Sequence, residues 1–288
     1  VIDYDPHRWR ELLQWRGTMV VAISRRAGLI LLVAATVTTL HFHWRDLAVP
    51  ETVHALLGSA LSLLLVFRTN ASYDRFWEGR KLWGTIVNTS RNITRLSLVH
   101  LGKDAALLKQ ALQLVIAFPY ASMNDLRGMR GIGPIEKELD EDASARLLAA
   151  NHPPSAIARG ISTVFANARE QGLISDYMQM EIDKQPALLI DCIGACERIH
   201  KTPLPFAYVV HLRRALVLYC GTLPFALLGK FGWGTIPISF LVAIVLFGIE
   251  EIGVEIEDPF GTDDNDLPLE NICASIEKHV RSHYPEQP

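Results

Sequence analysis

The sequence predicts an all-α membrane protein, with four transmembrane helices per subunit in two hairpins and a cytoplasmic helical bundle between them. Three observations predict it. Four uncharged apolar runs occur, at Ala27–Leu40, Thr52–Phe67, Ala215–Gly229 and Phe231–Ile249. Positive charge gathers at the same end of each pair of runs. No stretch of any length alternates apolar and polar residues as a half-buried strand does. Composition agrees: 49 % of the 288 residues are hydrophobic and 20 % charged, and the mean hydropathy is +0.18. That is more apolar than a typical soluble domain.

A charged segment, 1–26, precedes the first apolar run, so no cleavable signal peptide is read at the start. Runs of about 14–16 residues fit a buried core as well as a bilayer span. Flanking charge decides between them. Arg25 and Arg26 precede the first run, Arg68, Arg75, Arg80 and Lys81 follow the second, and Arg213 and Arg214 precede the third. The positive-inside rule then places both termini in the cytoplasm. The hairpins are 27–67 and 213–249. His41–Glu51 and Lys230–Gly234 become the outer turns, with Trp44 and Trp233 at interfacial depth.

The intervening region, 68–212, reads as helices with charged faces. Leu107–Met123 carries apolar residues at helical spacing up to Pro119, where the pattern predicts a stop. A loop and a short helix follow, ending at Pro153-Pro154, and two more helices run to Pro203 and Pro205. The last segment, 250–288, is acidic. Eight carboxylates stand between Glu250 and Asp266, and no Lys or Arg lies between Lys230 and Lys278. Such a cluster is either a cation site or a solvated face.

Catalytic and nucleic-acid chemistry are poorly served. Eight Lys/Arg against three Asp/Glu lie between Arg68 and Lys109, but Trp83, Ile86 and Leu96 interrupt them, which does not make a nucleic-acid groove. His41 and His43 are two residues apart, whereas a helical metal pair needs a spacing of three or four. No nucleophile elbow, Walker loop or dinucleotide fingerprint stands in a suitable context. The four cysteines make no disulfide framework, and Cys192 and Cys196 form a one-turn helical pair of the kind usually buried. The sequence is not read as an enzyme.

The second apolar run holds Ser59, Leu63 and Phe67 at positions i, i+4 and i+8, on one helix face. Such a stripe packs against neighbours as readily as it lines a pore. Gly58, Ser59, Ala60 and Ser62 are small enough for several copies to approach an axis. Directly after it comes FRTNASYDRFWEGRKLWG, Phe67–Gly84. This segment, CERIHKTPLPFAYVVHLRR at Cys196–Arg214, and DPFGTDDND after the fourth run together resemble a bacterial bestrophin. The resemblance covers nearly the whole chain.

The resemblance implies a homopentameric channel with one axial pore, multi-pass in the bacterial inner membrane. Its partners are further copies of itself, the lipid bilayer and the permeating monovalent ions. The apolar neck falls on Ser59, Leu63 and Phe67. Ser59 stands where the family has a bulky apolar residue, implying a wider, wetter outermost ring. The cytoplasmic aperture falls on His200, with Ile199 as the neighbouring alternative. A calcium clasp of the kind animal members carry spans the segment equivalent to Glu255–Asp266, with side-chain ligands on Asp258, Asp263 and Asp266 and with Glu255 beside them. Bacterial members often function without regulatory calcium, so no cofactor is required and Ca²⁺ stays open. The alternative is an acidic turn that caps a helix or pairs with a neighbouring subunit's arginines. By analogy with bacterial members, monovalent cations are expected over chloride; the alternatives are an anion-selective channel and, less favoured, a secondary transporter or a non-conducting membrane scaffold.

Overall fold

A computed structural model describes residues 19–284. Among them every regular element is helical. The chain divides into two compact units. One holds the part up to Phe76, Pro203–Asp258 and Asp263–Asn265. The other holds Trp77–Thr202, Pro259–Thr262 and the part from Asp266 onward.

The first unit contains α1 (Val20–His43), the opening half of α2 (Thr52–Leu101), α7 (Phe206–Phe231) and α8 (Thr235–Glu255). α1 packs on both α7 and α8, and α7 on α8. Their shared core includes Ile23, Ile30, Leu61, Leu65, Leu216 and Phe247. Close approach of α2 to α7 depends on Gly58, where a Cβ would lie 2.7 Å from the Tyr219 hydroxyl oxygen. Among the described residues three helical stretches are long and apolar enough to cross a membrane: Val20–His43, Thr52–Leu101 and Phe206–Glu255. The last contains both later apolar runs, and a single 3₁₀ turn at Gly232–Gly234, within the fourth run, separates α7 from α8. Gly232 takes φ +50°, a left-handed conformation that glycine enters without a Cβ penalty. The two inter-helix connections are tied together: Phe42 stacks on Trp233 with ring centroids 5.1 Å apart, and Lys230 pairs with Glu51.

The second unit is built around α3 (Ala105–Leu126), which packs on α5 (Pro153–Glu170), α6 (Asp176–Lys201) and α9 (Leu269–Arg281). α4 (Glu141–Ala149) rests on α5. Asp104 starts α3 by accepting hydrogen bonds from the amides of Ala106 and Leu107, both at 3.0 Å. Those donors have no partner inside the helix, which is why an Asp at this position favours a start.

Pro119 departs from expectation, and a second proline is also carried inside a helix. Pro119 does not end α3, which continues to Leu126, and Pro224 lies inside α7. A proline in a helix interior costs about 3 kcal/mol, through one lost hydrogen bond and a ring clash. α3 is buried along nearly its whole length from Leu107 to Met123, and that packing outweighs the loss. Pro153 and Pro154 end one pattern but also open the next, occupying the first turn of α5, where a missing N–H leaves nothing unsatisfied. α2 passes through residue 67 without a break, so the boundary between apolar and charged sequence is not a boundary between elements. Residues 1–18 of the expected N-terminal segment and 285–288 of the acidic one lie outside the described residues.

Candidate functional site

Helix α2 presents two different faces in the first unit. Leu61, Leu65, Arg68 and Ser72 turn into the core. Ser59, Leu63 and Phe67 occupy the opposite face, with Leu63 55 % and Phe67 57 % exposed. Four-residue steps on a 3.6-residue helix keep the three in a nearly axial row. The Ser59 hydroxyl donates to the Ala55 carbonyl at 3.0 Å, so its proton is already engaged within the helix. Apart from the Ser59 hydroxyl this row is apolar, and the chain's own packing leaves it exposed.

The carboxylates at the end of α8 hold that helix in place. Glu250 is 1 % exposed and receives Arg213 Nε at 2.8 Å and Arg26 Nη1 at 3.3 Å, while Glu251 receives Arg26 Nη1 at 2.9 Å. The pairs join α1, α7 and α8 at one level. Glu257 is the second hub. Its Oε2 accepts from Arg68 Nη2 at 3.3 Å and its Oε1 from the Leu204 amide at 2.9 Å. Its backbone carbonyl accepts from Arg75 Nε at 2.9 Å. Arg68, one residue past Phe67, is 1 % exposed, and its stem lies across Gly253, where a Cβ would meet its Nε at 3.3 Å. Glu257 thus anchors α2 at two points past the row, Arg68 through its carboxylate and Arg75 through its backbone carbonyl, and its carboxylate also holds the Leu204 amide.

These pairs are what sequence reading missed. Arg26, Arg68 and Arg213 were legible as topology markers, and their partners as members of a charge cluster. The arginines are on the same chain, not a neighbouring one, for the carboxylates of Glu250, Glu251 and Glu257. Within the first unit, Glu255 accepts from the Asn265 side-chain amide at 2.7 Å, and Asp258 and Asp263 lie in the segment that follows. Asp266 belongs to the second unit, buried, with its Oδ2 2.7 Å from where a Cβ on Gly261 would stand. Any side chain at 261 would displace that carboxylate.

In the second unit, His200 lies exposed in the last turn of α6, while Ile199 is buried in the unit's own core. Arg198 beside them donates to Glu78 Oε1 at 2.7 Å. Cys192 and Cys196 are buried free thiols, pushed by burial up to about 11 and about 12, and therefore protonated and unreactive at neutral pH.

Long apolar helices with exposed leucines, clamped at their charged ends by buried ion pairs, define a multi-span helical membrane protein. The chain belongs to the bestrophin family: the profile described as Bacterial/Fungal Bestrophin protein matches residues 1–282. Family members are channels and not enzymes. The chain is similar to the voltage-dependent anion channel-forming protein of Synechocystis sp., 38 % identical over 96 % of this chain and 92 % of that one. It is 39 % identical to a protein of the same description from Nostoc sp., over 95 % and 91 %. YneE of Escherichia coli, also described so, is 33 % identical over 96 % and 91 %. The fold is similar to the crystal structure of a bacterial Bestrophin homolog from Klebsiella pneumoniae, with a TM-score of 0.86 and 30 % identity, covering 92 % of this chain and all of that one.

Proposed function

We propose that this chain is one subunit of an anion-conducting bestrophin channel. Five copies surround an axial pore in the bacterial inner membrane, each with four spans and both termini cytoplasmic. The observation that carries this is the exposed Ser59–Leu63–Phe67 row, an apolar face on a membrane-spanning helix that the chain's own core does not use. Five such rows facing an axis would make a narrow apolar neck, which resists ions because it offers nothing to replace their hydration. Glu257 and Arg68 hold the helix just below the row, so the neck's position is set by the clamp. His200 stands at the cytoplasmic aperture in this reading.

Anion selectivity replaces the expectation of monovalent cations over chloride. Relatives described as anion channel-forming proteins match this chain over nearly their full length and at up to 39 % identity. The earlier analogy had no charge ring behind it. Conduction in this reading needs no cofactor. Calcium held by Asp258 and Asp263 near Glu255, or by Asp266, is a separate proposal, which currents recorded with and without a chelator would test.

The decisive experiment is the reversal potential of purified protein in planar bilayers under a tenfold chloride gradient. A displacement of roughly 59 mV toward the chloride potential is expected for an ideally selective monovalent pore. Reversal near the cation potential would overturn anion selectivity. Silent bilayers from protein that elutes as a folded pentamer would overturn the channel reading itself.

A further inference from the structure

In the second unit, three metal-ligating side chains from three elements converge. Asp125 lies in the last turn of α3, His152 is the residue that caps the start of α5, and Glu197 lies near the end of α6. Their ligand atoms all fall within 4.8 Å of one another. His152 Nε2 stands 3.9 Å from Asp125 Oδ2 and 3.5 Å from Glu197 Oε1. That nitrogen is shielded from solvent and makes no hydrogen bond. Buried polar atoms are seldom left without a partner, and this one faces two carboxylates.

We propose that Asp125, His152 and Glu197 form a binding site for a divalent transition-metal ion of the zinc type. The chemistry of the donors selects the class. One imidazole nitrogen with two carboxylates suits zinc and its neighbours, whereas calcium and magnesium take oxygen alone. The spacing suits it too. Bonds of about 2.0–2.1 Å at a tetrahedral angle put ligand atoms roughly 3.3–3.4 Å apart, so small rotations of exposed-side carboxylates close the site. Three protein ligands leave a fourth position for water. α3, α5 and α6 pack on one another, so the backbone positions of all three ligands are set by the unit's core.

The proton on His152 follows from its cap bond. The Ser155 amide donates to His152 Nδ1 at 3.1 Å, which leaves the ring's single proton on Nε2. Metal binding at Nε2 requires that proton to move to Nδ1, with no net gain or loss. Metal binding therefore gives up the Ser155 cap bond, and the imidazole must rotate so that Nδ1–H no longer faces that amide. Lys201 Nζ, 3.0 Å from Glu197 Oε1, competes for the same carboxylate.

Isothermal titration of the tag-free protein in detergent with Zn²⁺ tests this. One saturable site per chain is expected, at least tenfold weaker in Asp125→Asn and in Glu197→Gln. Zinc should also raise the melting temperature of the parent and leave that of both variants in place. Melting without metal checks that the variants fold. Co²⁺ in the unmodified parent should give the visible bands of a four-coordinate site, which keeps the test independent of any variant. Absence of zinc uptake by the folded parent, absence of those cobalt bands, or undiminished uptake by the Asp125→Asn/Glu197→Gln double variant would each overturn the site.

Discussion

Glu257→Gln is the perturbation that best tests the clamp beneath the proposed neck. Glu257 is 16 % exposed and Arg68 1 % exposed, with 3.3 Å between their charged atoms. At that separation two unit charges attract by about 5 kcal/mol for an effective dielectric of about 20. Removing one partner of such a buried pair costs roughly 3–5 kcal/mol, because the remaining charge stays desolvated and uncompensated. The amide adds a second conflict. Glu257 now accepts from Arg68 through one oxygen and from the Leu204 amide through the other. A glutamine can accept at only one of these and presents an N–H to the other donor. Thermal melting in detergent should therefore fall by many degrees in Glu257→Gln. Arg68→Met/Glu257→Gln should recover much of the loss, since it removes the stranded guanidinium. A single variant within 1 kcal/mol of the parent, or a double variant no better than the single, would refute the clamp.

Three further outcomes are expected. Leu63→Ala and Phe67→Ala should each raise conductance or open probability without changing assembly, as read from single-channel recording and sizing; unchanged currents in both would return the row to ordinary packing. His200→Glu should lower single-channel current in an anion pore by placing negative charge at the exit. Unchanged current in that variant would remove His200 from the aperture. The hydrogen bond from Arg127 holds the Glu270 carboxyl below its ordinary 4.5, so Glu270 contributes stability above that pH, lost as pH falls through its lowered folded value. Melting curves between pH 6 and 3 should therefore show a shallower acid loss for Glu270→Gln than for the parent.

The all-helical class, the apolar spans and the family were legible in the sequence, because each rests on a periodicity, a run length or a motif order that local physics enforces. An uncharged run has to be buried in protein or lipid wherever it stands, and the order of three motifs survives any packing. The row Ser59, Leu63 and Phe67 could likewise be placed on one face by counting. Tertiary structure decided what the charges do. Glu250, Glu251 and Glu257 read only as members of an acidic segment, either a cation site or a solvated face, yet they pair with Arg26, Arg213 and Arg68, residues up to 225 positions away along the chain. It also decided that Pro119 and Pro224 lie within helices, in α3 because burial along nearly the whole helix outweighs the local penalty. His152 showed nothing in one dimension, being distant in sequence from both Asp125 and Glu197. Pairing and convergence depend on which helices share a core, and that choice is made by side-chain packing over the whole unit, which no local pattern encodes.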